Sequence, residues 1–123
     1  MKNLEPKIFR QRLIMEGHYQ DEADGETIKD YLNQLSKVCQ MRIFSGPYSW
    51  PPDKWDHPEV KLEDLNGFVA WRESGCHVYA WNACKFFTSD VYSCKPFDVD
   101  KVVKFTKDFW KSKDIRHKAI KAI

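Results

Sequence analysis

A chain of 123 residues with 42% hydrophobic and 15% aromatic content has the material for one two-layer core and is too short for two. Its 20 basic and 18 acidic side chains leave a net charge of only +2, so neither nucleic acid nor a membrane surface is implied as partner. No apolar run approaches the ~20 residues of a membrane span, and the opening Met-Lys-Asn-Leu-Glu-Pro-Lys lacks the apolar segment of a signal peptide; the expected setting is cytoplasmic.

Residues 8–17 read as a strand with its apolar weight towards the end. The acidic turn Asp21-Glu22-Ala23-Asp24-Gly25-Glu26 leads into an amphipathic helix at 26–40, with Ile28, Tyr31, Leu32, Leu35, Val38 and Cys39 on one face. Acidic residues at its start suit the positive end of the helix dipole. A short strand at 41–44 follows. From 45 to 65, Gly46-Pro47, Pro51-Pro52 and His57-Pro58 are expected to break any regular element, because proline fixes φ and lacks a donor. Tyr48, Trp50 and Trp55 lie among them, either covering a hydrophobic edge or walling a ligand pocket.

The stretch 66–94 is rich in β-branched and aromatic residues without helical spacing, and reads as three strands with the first join at Glu73-Ser74-Gly75. Pro96-Phe97-Asp98 announces a second helix at 98–112, with Asp98 as N-cap and Val99, Val102, Val103, Thr106, Phe109 and Trp110 along a stripe. A last edge strand is expected at 114–120. Its surrounding cluster of Lys111, Lys113, Arg116, His117, Lys118 and Lys121 reads as a solvated charged end or an anion site. The predicted fold class is α+β: a single domain, 1–123, in which two helices cover one face of a largely antiparallel sheet as a two-layer sandwich.

The cysteines, Cys39, Cys76, Cys84 and Cys94, form no Cys-x-x-Cys pair, and the four histidines are scattered, so spacing supports no metal site. The thiols read as free, mostly packed as small hydrophobes. A serine beside a carboxylate at a strand join, with a cysteine closing a later strand, reads either as a reaction centre or as ordinary polar groups of a sheet.

In the arrangement around Glu73-Ser74 the chain resembles the prokaryotic-type S-adenosylmethionine decarboxylases, which carry a pyruvoyl group made from their own serine. In that family a Glu-Ser pair joins two strands, a tryptophan follows, and a later strand ends in cysteine. Here Glu73-Ser74 matches the pair, Trp81 the tryptophan and Gly67 a preceding glycine, and Asp90-Val91-Tyr92-Ser93-Cys94 ends in cysteine after 94 − 74 = 20 residues, the family's interval.

The resemblance implies a self-processing decarboxylase of polyamine biosynthesis. The Ser74 hydroxyl attacks the Glu73 carbonyl, the resulting ester eliminates, and the dehydroalanine left at the new end hydrolyses to a pyruvoyl group. The products are a β chain of 1–73 and an α chain from Ser74 to the end. Cys94 is then the proton donor, Trp81, Trp50 and Asp90 are substrate-binding candidates, and a homodimer is expected.

Three positions depart from the family pattern. Asn66 and Tyr79 stand where the family has a serine and a histidine that assist processing, although both can hydrogen-bond and His77, two residues from Tyr79, shares its strand face. Ala83 replaces a glutamate that holds the ribose hydroxyls of S-adenosylmethionine. Arginine or ornithine is therefore carried as an alternative substrate, with Asp90 or an aromatic wall facing the distal cation. An unprocessed, non-catalytic binding or regulatory relative is the second alternative.

Overall fold

The computed structural model describes residues 1–50 and 64–121, through β1 (Gln11–His18), α1 (Gly25–Val38), β2 (Ile43–Trp50), β3 (Asp64–Trp71), β4 (Ser74–Trp81), β5 (Phe86–Ser93), α2 (Val99–Trp110) and β6 (Arg116–Lys121). Strict alternation builds the sheet. In β1, Gln11, Leu13, Met15 and Gly17 are buried while Arg12, Ile14, Glu16 and His18 are exposed. The same period-two sorting turns Leu65, Val69 and Trp71 of β3, Cys76, Val78 and Ala80 of β4, and Phe87 and Val91 of β5 inward. All strand pairs are antiparallel, in the order β2-β3-β4-β5-β1-β6. The expected α+β sandwich is the fold observed.

Both helices lie on the inner face. Asp24 caps α1: its carboxylate accepts from the Thr27 N–H at 2.8 Å, while the Thr27 hydroxyl oxygen accepts from the Asp24 N–H at 3.1 Å. Asp98 caps α2 through the Lys101 N–H at 3.1 Å. Ile28, Tyr31, Leu32 and Leu35 of α1 are completely buried against the sheet. Tyr31 carries its hydroxyl into the core, where Ser89 and Thr106 hydroxyls lie 3.0 and 3.1 Å away. Among the described residues no helix is long and apolar enough to cross a membrane.

Two expectations are corrected. The strand expected at 41–44 runs instead from Ile43 to Trp50, straight through Gly46-Pro47, whose peptide bond is cis. β2 is the edge of the sheet, so a proline without an N–H leaves no ladder partner unsatisfied on its open side. Irregularities in the β2–β3 register between Ile43, Ser45 and Tyr48 take up the misfit. Tyr48 and Trp50 are thus strand residues, while Trp55 lies outside the described residues. The first strand also begins at Gln11 rather than at residue 8; the last one, β6, is an edge strand as expected, running from Arg116 to Lys121 and pairing with β1.

Gly67 lets α1 sit down on the sheet. A Cβ there would overlap both Ile28 Cγ2 and the Tyr48 carbonyl oxygen. Gly67→Ala should therefore lower stability by about 1–3 kcal/mol, the usual cost of overpacking. An unchanged denaturation midpoint would show that α1 does not bear on this glycine.

Candidate active site

The site grows from the turn between β3 and β4. Trp71 pairs with Ser74, so only Arg72 and Glu73 make the connection. On one side Trp71 is buried and donates its Nε1–H to the Ser36 hydroxyl of α1 at 2.7 Å, which pins the hairpin end to the helix layer. On the other side Ser74 has a φ of 135°, a region in which an L side chain rarely rests and which costs about 1–3 kcal/mol.

Glu73 is held at both its ends. Its side chain is only 8% exposed; Oε1 accepts from Arg42 Nε–H at 2.9 Å and Oε2 from the Arg42 N–H at 3.2 Å. The hydrogen-bonded guanidinium of Arg42 holds the carboxyl below its usual range against the opposing effect of burial. The Glu73 carbonyl oxygen accepts the N–H of Cys94 at 2.8 Å. Cys94 thereby meets the Glu73–Ser74 link through its backbone, and its residue is exposed just beyond β5.

Half-buried Ser74 opens onto a groove of about 570 Å³ with Phe68, His77, Asp90 and Tyr92 among its walls. Asp90 stands opposite His77 across the β4–β5 pair. Among the described residues no cation pairs with the Asp90 carboxylate; the nearest-row guanidinium, Arg12, sits instead 4.4 Å over the Tyr92 ring. Burial lowers the His77 pKa, opposed by the Asp90 charge.

The sequence-predicted residues divide into two groups. Glu73, Ser74 and Cys94 gather at the turn end of β4 and β5, while Asp90 lies three residues further along, opposite His77; Ser74 and Asp90 line the groove and Cys94 is not among its walls. Asn66 and Tyr79 face each other in register one row further along, and both touch His77: its Nε2 is 3.3 Å from Asn66 Oδ1, and its ring stacks on Tyr79 with centroids 4.4 Å apart. Trp50, paired with Asn66 on β2, and Trp81, at the far end of β4, lie outside the groove, and Ala83 is exposed in the turn beyond. Arg42, Phe68 and Tyr92 are site residues that sequence reasoning missed. Arg42 is 31 residues before Glu73 and carries no motif that could have flagged it.

All four cysteines are free, Cys39 and Cys76 buried and Cys84 and Cys94 exposed. Burial pushes the Cys39 and Cys76 thiols up to about 12, so both are inert packing groups. Among the described residues no group of three His, Cys, Asp or Glu side chains could hold a metal ion. Chemically, the arrangement offers a hydroxyl next to a carbonyl already held by a donor, on a strained link, at the mouth of a groove.

A family model described as S-adenosylmethionine decarboxylase matches residues 13–122. Among solved structures, the adenosylmethionine decarboxylase of Aquifex aeolicus VF5 is similar to this chain with a TM-score of 0.63 at 15% identity, over 92% of this chain and 89% of that one. At that identity the likeness shows the fold. No curated protein sequence matches.

The strain at Ser74 can be measured apart from any chemistry. Ser74→Gly and Ser74→Ala both lack the hydroxyl, and glycine alone relaxes at this φ. The glycine variant should be the more stable by about 1–3 kcal/mol in urea unfolding. Equal stability would show that the positive φ costs nothing.

Proposed function

The chain belongs to the S-adenosylmethionine decarboxylase family, and from that premise we propose that it is a decarboxylase that makes its own pyruvoyl group by cutting itself between Glu73 and Ser74. The observation that carries this reading is the backbone at the cut: a φ of 135° at Ser74 beside a Glu73 carbonyl bound by the Cys94 N–H at 2.8 Å. The residues present fit the group. A serine follows the held carbonyl, Gly75 adds no side chain at the join, and the groove leaves room for a substrate in front of it.

In this reading the Ser74 hydroxyl attacks the Glu73 carbonyl carbon, and the Cys94 N–H stabilises the negative charge gathering on the oxygen. Elimination from the ester separates 1–73 from 74–123, and water completes the new end with loss of ammonia. The pyruvoyl group, once formed, supplies the electron sink for loss of carbon dioxide. The chain's own groups do the rest. The Cys94 thiol returns a proton to the substrate α-carbon as general acid. Asn66 and Tyr79 support the cut through their contacts with His77.

S-adenosylmethionine is the substrate that family membership favours. The Phe68 and Tyr92 rings and the Asp90 carboxylate suit its sulfonium cation. A second reading, the same chemistry on arginine or ornithine, is favoured by the groove's Asp90 carboxylate, which has no paired cation among the described residues, and by Ala83 at the position of the family's ribose-holding glutamate. On the sheet's outer face, rings follow one another from Tyr48 through Phe68, His77, Tyr79 and Trp81 to Phe86. The exposed Tyr48, Trp50, Phe68 and Tyr79 on this face support assembly as a homodimer, with a second copy packing on them.

Denaturing mass spectrometry of the purified chain is the test. Two fragments divided between Glu73 and Ser74, the second bearing a pyruvoyl end, are expected, and Ser74→Ala should remain one species. An intact wild-type chain after long incubation would overturn self-cleavage in favour of an unprocessed binding relative. Carbon dioxide release from S-adenosylmethionine, arginine and ornithine then identifies the substrate.

Cys94→Ala keeps its backbone N–H and should still cut. Turnover in that variant should fall by about 10²- to 10⁴-fold, the usual worth of a positioned acid. Unchanged turnover would remove Cys94 as proton donor.

A further inference from the structure

We propose that Arg42 is a positioning residue for the cut: it grips the turn ahead of the scissile link and so keeps Ser74 in its strained conformation. The proposal rests on the self-cleavage reading above and adds to it a residue that belongs to none of the motifs around Glu73-Ser74.

A residue at a φ of 135° relaxes unless its neighbours over-determine it. Downstream of Ser74 the β4 ladder fixes the chain, with Ser74 itself paired to Ser93. Upstream, the chain is a two-residue turn with little pairing of its own, and there Arg42 intervenes. Its Nε–H and N–H donate to the two carboxylate oxygens of Glu73, at 2.9 and 3.2 Å, and its carbonyl oxygen accepts from the Arg72 N–H at 3.0 Å. One residue thus engages both members of the turn, through side chain and backbone together.

The chemistry of the pair points the same way. The Glu73 side chain is 8% exposed, whereas that of Arg42 is 68% exposed. A nearly buried carboxylate is retained here because a cation reaches it, and charge-assisted bonds of this kind are stronger than neutral ones. The guanidinium fills no core space, so its removal leaves no cavity to confuse with a loss of grip. Among the described residues around the carboxylate, Arg42 is the charged group that acts on it. Arg72 precedes it in the turn, and Cys94 reaches this residue from beyond β5 through a backbone N–H to the carbonyl. With the side chain tied to Arg42 and the carbonyl tied to Cys94, Glu73 cannot rotate to relieve Ser74.

The experiment follows the appearance of fragments 1–73 and 74–123 by denaturing mass spectrometry, in freshly folded wild type, Arg42→Ala, Arg42→Lys, Glu73→Ala and the Arg42→Ala/Glu73→Ala pair. Arg42→Ala should slow cleavage by about 10- to 100-fold, the kinetic equivalent of a lost charge-assisted bond. Arg42→Lys, which keeps the charge and the backbone N–H, should fall between it and wild type, and it supplies the measurement should the alanine variant not fold. In the Glu73→Ala background, Arg42→Ala should have little further effect, because the two residues act as one clamp.

The pH dependence separates a clamp from general stabilisation. The folded Glu73 carboxyl lies below its usual range, so the clamp is complete above that range and is lost as pH falls through the folded value. The ratio of wild-type to Arg42→Ala rates should therefore be constant near neutrality and shrink towards unity in acid. Equal rates for wild type and Arg42→Ala, or additive losses in the double variant, would overturn the clamp alone. Absence of cleavage in wild type would overturn the reading on which it rests.

Discussion

Every feature of the site depends on the strict two-sidedness of an antiparallel strand. Because successive side chains in β1, β3, β4 and β5 point to opposite faces, one apolar set is committed to the helices and the other is left looking outward. The inner set closes a core around Tyr31, Leu32, Leu13 and Phe87. The outer set, His77, Tyr79, Trp81, Phe86, Asp90 and Tyr92, has no helix to face. Registers in this sheet are therefore functional statements. A slip of one residue in β4 would send the His77 side chain into the core and turn the Cys76 side chain onto the outer face.

Within that frame the site lies where two kinds of order meet. The ladder is regular up to Trp71 and again from Ser74, and between them the chain must reverse in two residues. Favourable hairpin turns place positive φ on the turn residues themselves. Here the unfavourable angle falls on the serine after the turn. Strain of that size persists only when bonds on either side hold it. The buried Glu73 side chain and the bound carbonyl are those bonds, and both come from segments remote in sequence, Arg42 ahead of β2 and Cys94 after β5.

This explains which parts of the molecule were legible in the sequence. The Asp98 cap, the stripes of both helices and the three strands after Asn66 rest on local chemistry, and local chemistry is written in order along the chain. β2 was misread because Gly46-Pro47 looks like a break when its place at the sheet edge is unknown. Glu73, Ser74 and Cys94 were found only through their spacing, which a family resemblance made meaningful. Phe68 and Tyr92 read as strand residues, yet nothing in their neighbours shows that their face of the sheet is the one without helices. Arg42 carries no periodic signal at all; its role exists only once the turn folds back on it.

For the proposed cut, the strand order has a consequence for how the two pieces would stay together. Residues 1–73 hold β1, β2, β3 and α1, and residues 74–123 hold β4, β5, β6 and α2. In the sheet, however, β1 lies between β5 and β6, while β3 borders β4. The first piece is thus threaded through the second, and separating them means opening the β3–β4, β1–β5 and β1–β6 ladders at once. Were the Glu73–Ser74 bond cut as proposed, the two pieces would remain an interlocked pair whose seams are hydrogen-bonded strands, and the chain's continuity would be lost at a place where the fold does not depend on it.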